Sequence, residues 1–224
     1  MTGKLSVVGT PIGNLEDITL RALRTLKECD IILCEDTRHT KKLLSHFDIH
    51  TATMAFHTFS GKPVYEKIVA LLEEGKNLAL VSDAGTPAIS DPGAYLIEKI
   101  REALPDVHIE PIPGPSSVSA ALSVAGVPAD SYTFIGFLPH KKGRMTMLNA
   151  VAKLEGTVVL FESSHRIERL MAELAERAPT RRVVVCHELT KLHEAVREGT
   201  AEEMTKVVGG VIPSRGEFVV VLRP

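Results

Sequence analysis

From residue 5 onward, short runs rich in Val, Ile and Leu alternate with amphipathic segments, and this alternation confines the chain to a parallel sheet covered by helices. The apolar runs predict strands over 5–9, 31–34, 78–82 and 107–112. The patterns between and after them predict helices over 20–27, 41–47, 64–74, 94–103 and 116–124. The character changes near Gly126. Beyond it, strands are expected over 133–137, 157–161, 182–187, 195–199 and 218–222, with helices over 145–154, 166–175 and 201–208. The stretch 182–199 reads strand, turn, strand, which predicts a mixed second sheet. The expected architecture is therefore two α/β lobes, residues 1–125 and 126–224, the first sheet mainly parallel and the second mixed. A cleft between two such lobes is a usual place for a small-molecule site.

With 224 residues, 44% of them hydrophobic, the chain has enough apolar material for two cores. Its net charge of -2 supplies no bulk attraction for nucleic acid, so a polyanionic partner has to meet a local basic patch. Trp is absent and aromatic residues make up 4%, so no base-stacking platform stands out. The three cysteines, Cys29, Cys34 and Cys186, form no C-x-x-C pair. They predict neither a disulfide framework nor a cysteine zinc site, and they fit a reducing, cytoplasmic setting. No metal is expected. Neither a signal peptide nor an apolar stretch long enough to span a membrane is read.

Three loops rich in Gly and Pro follow predicted strands, where α/β proteins place ligands. The first, VVGTPIGN (7–14), lacks the G-x-G-x-x-G spacing, and Pro11 removes a backbone donor. A tight turn needing Gly for conformational reasons would read the same. The second, VSDAGTPAISDPG (81–93), is rigid and carries Asp83 and Asp91. Its acidity suits a hydroxylated or cationic ligand better than a phosphate, and S-adenosylmethionine is such a ligand. A plain turn would also fit, with Ser90 or Asp91 capping the next helix and Pro92 in its first turn. The third, IPGPSSVSAAL (112–122), opens a small-residue helix at Ser116 and Ser117, whose hydroxyls and free N–H groups suit a carboxylate or an adenine edge. An ordinary N-cap is the duller alternative. No P-loop and no nucleophile elbow occurs.

Taken together and in order, VVGTPIGNLEDITLRALRTL, CEDTRHTKKLL, LVSDAGTPAISDPG, PGPSSVSAAL, FIGFLP, FESSHRI, HELTKLHEAVREGT and RGEFVVV resemble the tetrapyrrole-methylase (class III) methyltransferases. The similarity runs from Leu5 to Val221 and is greatest to the members that act on small-subunit ribosomal RNA. Ser164 stands where those relatives usually have Pro, and the chain ends at Pro224, where they commonly continue into a small segment thought to help with RNA. The resemblance implies two α/β domains with S-adenosylmethionine held in the cleft between them, and a homodimer. It implies methyl transfer to the 2′-oxygen of a cytidine in the decoding region of 16S rRNA, free or in the assembled 30S subunit. Carried over by motif, cofactor contacts fall on Pro11, Asp83, Ala84, Thr86, Ser116, Ser117 and Phe161, with the strand over 182–187 nearby. A methylase of a precorrin-type tetrapyrrole and a non-catalytic RNA-binding relative remain the alternatives.

A ribose hydroxyl is a poor nucleophile until its proton is drawn off, so a base or an alkoxide-stabilising cation belongs near the acceptor. CEDTRHT (34–40) is the densest polar cluster. Glu35 or Asp36 suits the base, and Arg38 suits a phosphate or a carboxylate. Against this, Asp36 or Thr37 can cap a helix while Arg38 pairs with Glu35. In ESSHRI (162–167), His165 titrates near neutrality and Arg166 can meet phosphate, although a lone His is more often structural. In HELTK (187–191), Lys191 can bind phosphate or simply pair with Glu188. PHKKGR (139–144) offers Lys141, Lys142 and Arg144 as RNA phosphate contacts, which a solvated loop would also explain.

Overall fold

A computed structural model describes residues 2–57, 60–91 and 93–224 of the chain. It divides into two compact units, Met1–Ser116 and Ser117–Pro224.

The first unit holds β1 (Lys4–Val8), α1 (Leu20–Glu28), β2 (Ile31–Cys34), α2 (Thr37–His46), β3 (Ala52–Ala55), α3 (Lys62–Glu73), β4 (Leu78–Leu80), α4 (Ala94–Ala103) and β5 (His108–Ile112). The strand order is β3-β2-β4-β1-β5 and every neighbouring pair is parallel. Alternate residues of the strands face opposite layers. Val8, Ile32, Cys34 and Ala79 pack with Ala22 and Leu26 of α1 and Leu44 of α2. Leu5, Leu33, Leu78 and Leu80 pack with Ile68 and Leu72 of α3 and Leu96 and Ile100 of α4. The sheet is thus covered on both faces, as its unbroken apolar strands require. Only β3 was not anticipated. Its sequence, ATMA, has no strong apolar run because it is an edge strand that pairs with β2 alone and stays half-exposed.

The second unit holds α5 (Ser117–Ala125), β6 (Tyr132–Phe137), α6 (Arg144–Lys153), β7 (Thr157–Ser163), α7 (Ile167–Arg177), β8 (Arg182–His187), β9 (Ala195–Thr200), α8 (Ala201–Val207) and β10 (Glu217–Leu222). The order is β6-β7-β10-β8-β9. Only β6 and β7 run parallel, so the sheet is mixed as expected. One sheet face packs its Val158, Leu160, Val183, Val185, Val220 and Leu222 against α6, α7 and α8. Helix α5 lies against β10, β8 and β9. That packing explains why the units part at the start of α5 and not after it, at 125/126. No described helix is long and apolar enough to cross a membrane.

A buried ionic cluster ties the second unit together. Arg144 has 0% exposure. Its guanidinium donates to Glu162 Oε2 at 3.2 and 3.3 Å and, through Nε, to Glu173 Oε2 at 2.9 Å. The other oxygen of Glu162 accepts from the Ser163 amide at 2.9 Å and pairs with Arg166 at 2.8 Å. Arg169 completes the set at 2.7 Å from Glu173 Oε1. The sequence reading of Arg144 as an RNA contact is therefore corrected: its donors point into the protein. Removing one partner strands the others as buried, unpaired charges, at a cost of about 3–5 kcal/mol. Arg144→Ala is expected to lower the unfolding free energy measured by denaturant titration by about that amount, whereas Lys141→Ala/Lys142→Ala, on the exposed loop before α6, should leave it unchanged.

Candidate active site at the carboxyl edge of the first sheet

Because all five strands of the first sheet are parallel, every strand ends at the same edge. The loops after β1, β2, β4 and β5 meet there and are joined by backbone. Gly9 N donates to Ile112 O at 3.0 Å. The Thr10 amide donates to Gly85 O at 2.9 Å, and the Gly85 amide donates to Thr10 O at 3.1 Å in return. Thr86 Oγ1 donates to Pro115 O at 3.2 Å, and the Asp36 amide donates to Asp83 Oδ1 at 3.2 Å. Gly9 and Gly114 lie so close that a Cβ on Gly114 would stand 2.8 Å from Gly9 O. Neither position has room for a side chain, and this is the physical reason for glycine in the first and third loops. The loop after β4 also holds Ala88 and Ser90 in the left-handed region, at φ 69° and 65°. Such conformations cost roughly 1–3 kcal/mol each and cluster at functional sites.

The loops after β1, β4 and β5 carry no cation. Residues 9–14, 82–91 and 112–116 contain no Lys or Arg. The Asp83 charge is felt at Glu35 and at Asp91. Burial pushes the Glu35 carboxyl above its ordinary value, and the Asp83 charge adds to it. Asp91 is pushed up to about 6, by burial first and then by the Glu35 charge. Asp91 was read from sequence as loop acidity or a helix cap. Its membership of a carboxylate group became visible only once β2 and β4 were placed side by side.

Asp36 behaves differently. Its carboxylate accepts from the amides of Arg38 at 2.8 Å and His39 at 3.4 Å, capping α2. Those two bonds hold it below the usual carboxylate range. A carboxylate so engaged is a weak proton acceptor, which favours Glu35 of the two sequence candidates. Arg38 stands 3.9 Å from Asp36, with its side chain 91% exposed, and does not pair with Glu35. Helix α4 is capped by neither Ser90 nor Asp91. Its N-cap is Gly93, at φ 144°, without a side-chain bond. Pro92 lies outside the described residues.

Of the cofactor candidates, Pro11, Asp83, Ala84, Thr86 and Ser116 lie on the joined loops of the first unit. Ser117 and Phe161 belong to the second. Phe161 is half-buried and meets Phe134 and Phe137 edge-to-face at 4.9 and 5.5 Å. Several second-unit candidates are already engaged. Arg166 donates to Ser163 Oγ at 3.1 Å and Leu138 O at 2.9 Å besides pairing with Glu162, so it braces the ends of β6 and β7. Lys191 sits 3.0 Å from both Glu188 and Glu217. These pairings correct the reading of Arg166 and Lys191 as free phosphate contacts. Lys141, Lys142 and His165 remain exposed.

The family description "Tetrapyrrole (Corrin/Porphyrin) Methylases" matches residues 4–205. A relative from Xylella fastidiosa named ribosomal RNA small subunit methyltransferase I is 43% identical over 224 residues, covering 99% of this chain and 81% of its own. One of the same name from Thermotoga maritima is 44% identical over 202 residues, covering 90% of each chain. The chain belongs to the tetrapyrrole methylase family. Among solved structures, a uroporphyrin-III C-methyltransferase from Thermus thermophilus superposes with TM-score 0.67 at 25% identity, over 99% of this chain and 94% of that one. The family description is of methylases, and the carboxyl edge is the candidate site for such chemistry. Loops that offer carboxylates, backbone carbonyls and hydroxyls but no cation accommodate a cationic methyl donor and disfavour phosphate.

The raised carboxyl of Asp91 has a consequence for stability. Its ordinary value is 3.8 and its folded value about 6, so the folded state holds the proton more tightly. Stability from that proton is full below the unfolded value and is lost as pH rises through about 6. Full conversion of the shift gives about 3 kcal/mol, which solvent screening of this half-buried group reduces to roughly 1–2 kcal/mol. Asp91→Asn should therefore raise the melting temperature at neutral pH, and the gain should vanish below about pH 4. Thermal melts of both proteins across that range check the sign.

Proposed function

We propose that this chain transfers the methyl group of S-adenosylmethionine to the ribose 2′-hydroxyl of a cytidine in the decoding region of small-subunit (16S) ribosomal RNA. The transfer chemistry is supported by the cation-free loops after β1, β4 and β5 and by the raised carboxyl of Glu35 beside them. The choice of acceptor rests on the 43% and 44% identical relatives, whose name gives small-subunit ribosomal RNA. The target atom rests on the resemblance of the eight motifs. The reading carries with it a cytoplasmic homodimer working on the free RNA or on the assembled 30S subunit.

S-adenosylmethionine supplies an activated methyl group on a sulfonium, so the protein's work is to position donor and acceptor. Pro11 and Ala84 present backbone to it, Asp83 offers a carboxylate to its positive groups, and Thr86 and Ser116 offer hydroxyls. The Thr10–Gly85 and Thr86–Pro115 bonds keep these loops in one arrangement, which limits the reorganisation needed on binding. Glu35 would accept the proton of the ribose hydroxyl as its oxygen bonds the methyl carbon, the methyl–sulfur bond breaking with its electron pair left on the neutral thioether S-adenosylhomocysteine. The raised carboxyl of Glu35 suits this, because it holds a proton more tightly than an ordinary carboxylate does. Exposed Lys141 and Lys142 meet RNA phosphate, and His165 lies on the exposed turn before α7.

Ribose-methylation mapping of ribosomal RNA after deleting and restoring the gene is the test. A single decoding-region cytidine is expected to lose its methyl group and regain it with the wild-type gene. With purified protein, Glu35→Gln should lower kcat by about 10²–10⁴ and leave S-adenosylmethionine affinity near wild type, whereas Asp36→Asn should retain turnover. An unchanged methylation map overturns the substrate, and full turnover by Glu35→Gln overturns the base.

A further inference from the structure

The two helical layers of the first sheet carry very different charge. Helices α3 and α4, on one face, are each neutral. Lys62 and Lys67 balance Glu66 and Glu73 on α3, and Lys99 and Arg101 balance Glu98 and Glu102 on α4. Part of that balance is paired in space, Lys62 with Glu66 at 3.5 Å and Lys99 with Glu102. Helices α1 and α2, on the opposite face, are not balanced. Helix α1 carries Arg21, Arg24 and Lys27 against the single Glu28. Helix α2 carries Arg38, Lys41 and Lys42 with no acid at all. The two helices together hold +5 in a chain whose net charge is -2.

The side chains point where a partner can reach them. Ala22 and Leu26 fix the inner stripe of α1, and Thr40 and Leu44 that of α2. At 100° per residue the basic positions then fall on the outward sides, and all six are exposed. Among the described residues, Arg21, Arg24, Lys27, Lys41 and Lys42 take part in no ion pair, and Arg38 has only its 3.9 Å approach to Asp36. This contrasts with Arg144, Arg166 and Lys191, basic residues of sequence interest that are consumed internally. Helix α2 also starts directly after Glu35 and Asp36, so its basic side begins beside the carboxyl edge.

We propose that the outward faces of α1 and α2 form a docking surface for the phosphate backbone of RNA, distinct from the Lys141–Lys142 loop. Unpaired, flexible cations spread over two adjoining helices suit a polyanion of repeating charge, and net charge elsewhere on the chain cannot supply that attraction. The proposal rests on the ribosomal RNA reading above and adds where that RNA is held.

The test compares wild type with the quadruple variant Arg21→Ala/Arg24→Ala/Lys41→Ala/Lys42→Ala, titrating an unmethylated small-subunit ribosomal RNA transcript at several salt concentrations. A Lys67→Ala variant on α3 is the control. Losing four phosphate contacts should flatten the slope of log K against log salt by about 3. Affinity should fall at least tenfold at low salt, while Lys67→Ala matches wild type. Calorimetry with S-adenosylmethionine reports folding independently, and Arg at Lys41 and Lys42 should preserve the slope. An unchanged slope in a quadruple variant that still binds S-adenosylmethionine overturns the surface while leaving the methyltransferase reading intact. A wild-type chain that neither binds nor methylates the RNA overturns both.

Discussion

Parallel strand direction in the first sheet is the constraint on which the candidate site depends. Five strands running the same way must deliver their carboxyl ends to one edge, and four of the following loops then compete for the same space. The competition is resolved by removing side chains where backbones cross, at Gly9 and Gly114, and by reciprocal amide bonds between Thr10 and Gly85. Once those contacts are made the loops have little freedom left, and strained residues such as Ala88 and Ser90 are held by their surroundings. The proximity of Glu35, Asp83 and Asp91 follows from the same packing. Burial at that edge raises the Glu35 and Asp91 carboxyls, and neighbouring negative charge adds to it, so the geometry that closes the loops also creates the proton affinity there.

The second unit uses charge in another way. Glu162 gives one oxygen to Arg144 and the other to Arg166, joining the loop before α6 to the turn before α7. The motifs PHKKGR and FESSHRI therefore read as two ends of one clamp. Arg144 and Arg166 serve the fold, and the exposed Lys141, Lys142 and His165 are carried on a frame made rigid by buried ion pairs. Whether an arginine recognises a ligand or braces a loop depends on a carboxylate about 3 Å away, and here the carboxylates come from residues 18 and 29 positions distant in the chain.

The first sheet shows how a mildly acidic protein can still present a basic face. Its two covering layers have equal structural work to do, yet only one is charge-balanced. Packing against the sheet fixes the inner stripe of each helix and leaves the outer positions open to other uses. An imbalance of this kind is invisible in net charge, because acids placed elsewhere cancel it.

Much of this was legible before any coordinates. Strands 31–34 and 182–187 and helix 94–103 match the structure at both ends, because apolar periodicity is a local property of the chain. The alternation also determined that the first sheet is parallel and the second mixed, and the Gly- and Pro-rich loops marked the edge where the candidate site lies. Strand β3 escaped notice because an edge strand needs little burial and so leaves a weak pattern. What only the tertiary structure decided is which polar residues have partners. Arg144, Arg166 and Lys191 look in sequence like Lys141 and Lys142, and Asp36 looks like Glu35. For Arg144 and Lys191 the deciding carboxylates, Glu162, Glu173 and Glu217, come from segments distant in the chain, a proximity that sequence order does not encode, whereas Asp36 and Arg166 are engaged by neighbours two and four residues away once the local turn is formed.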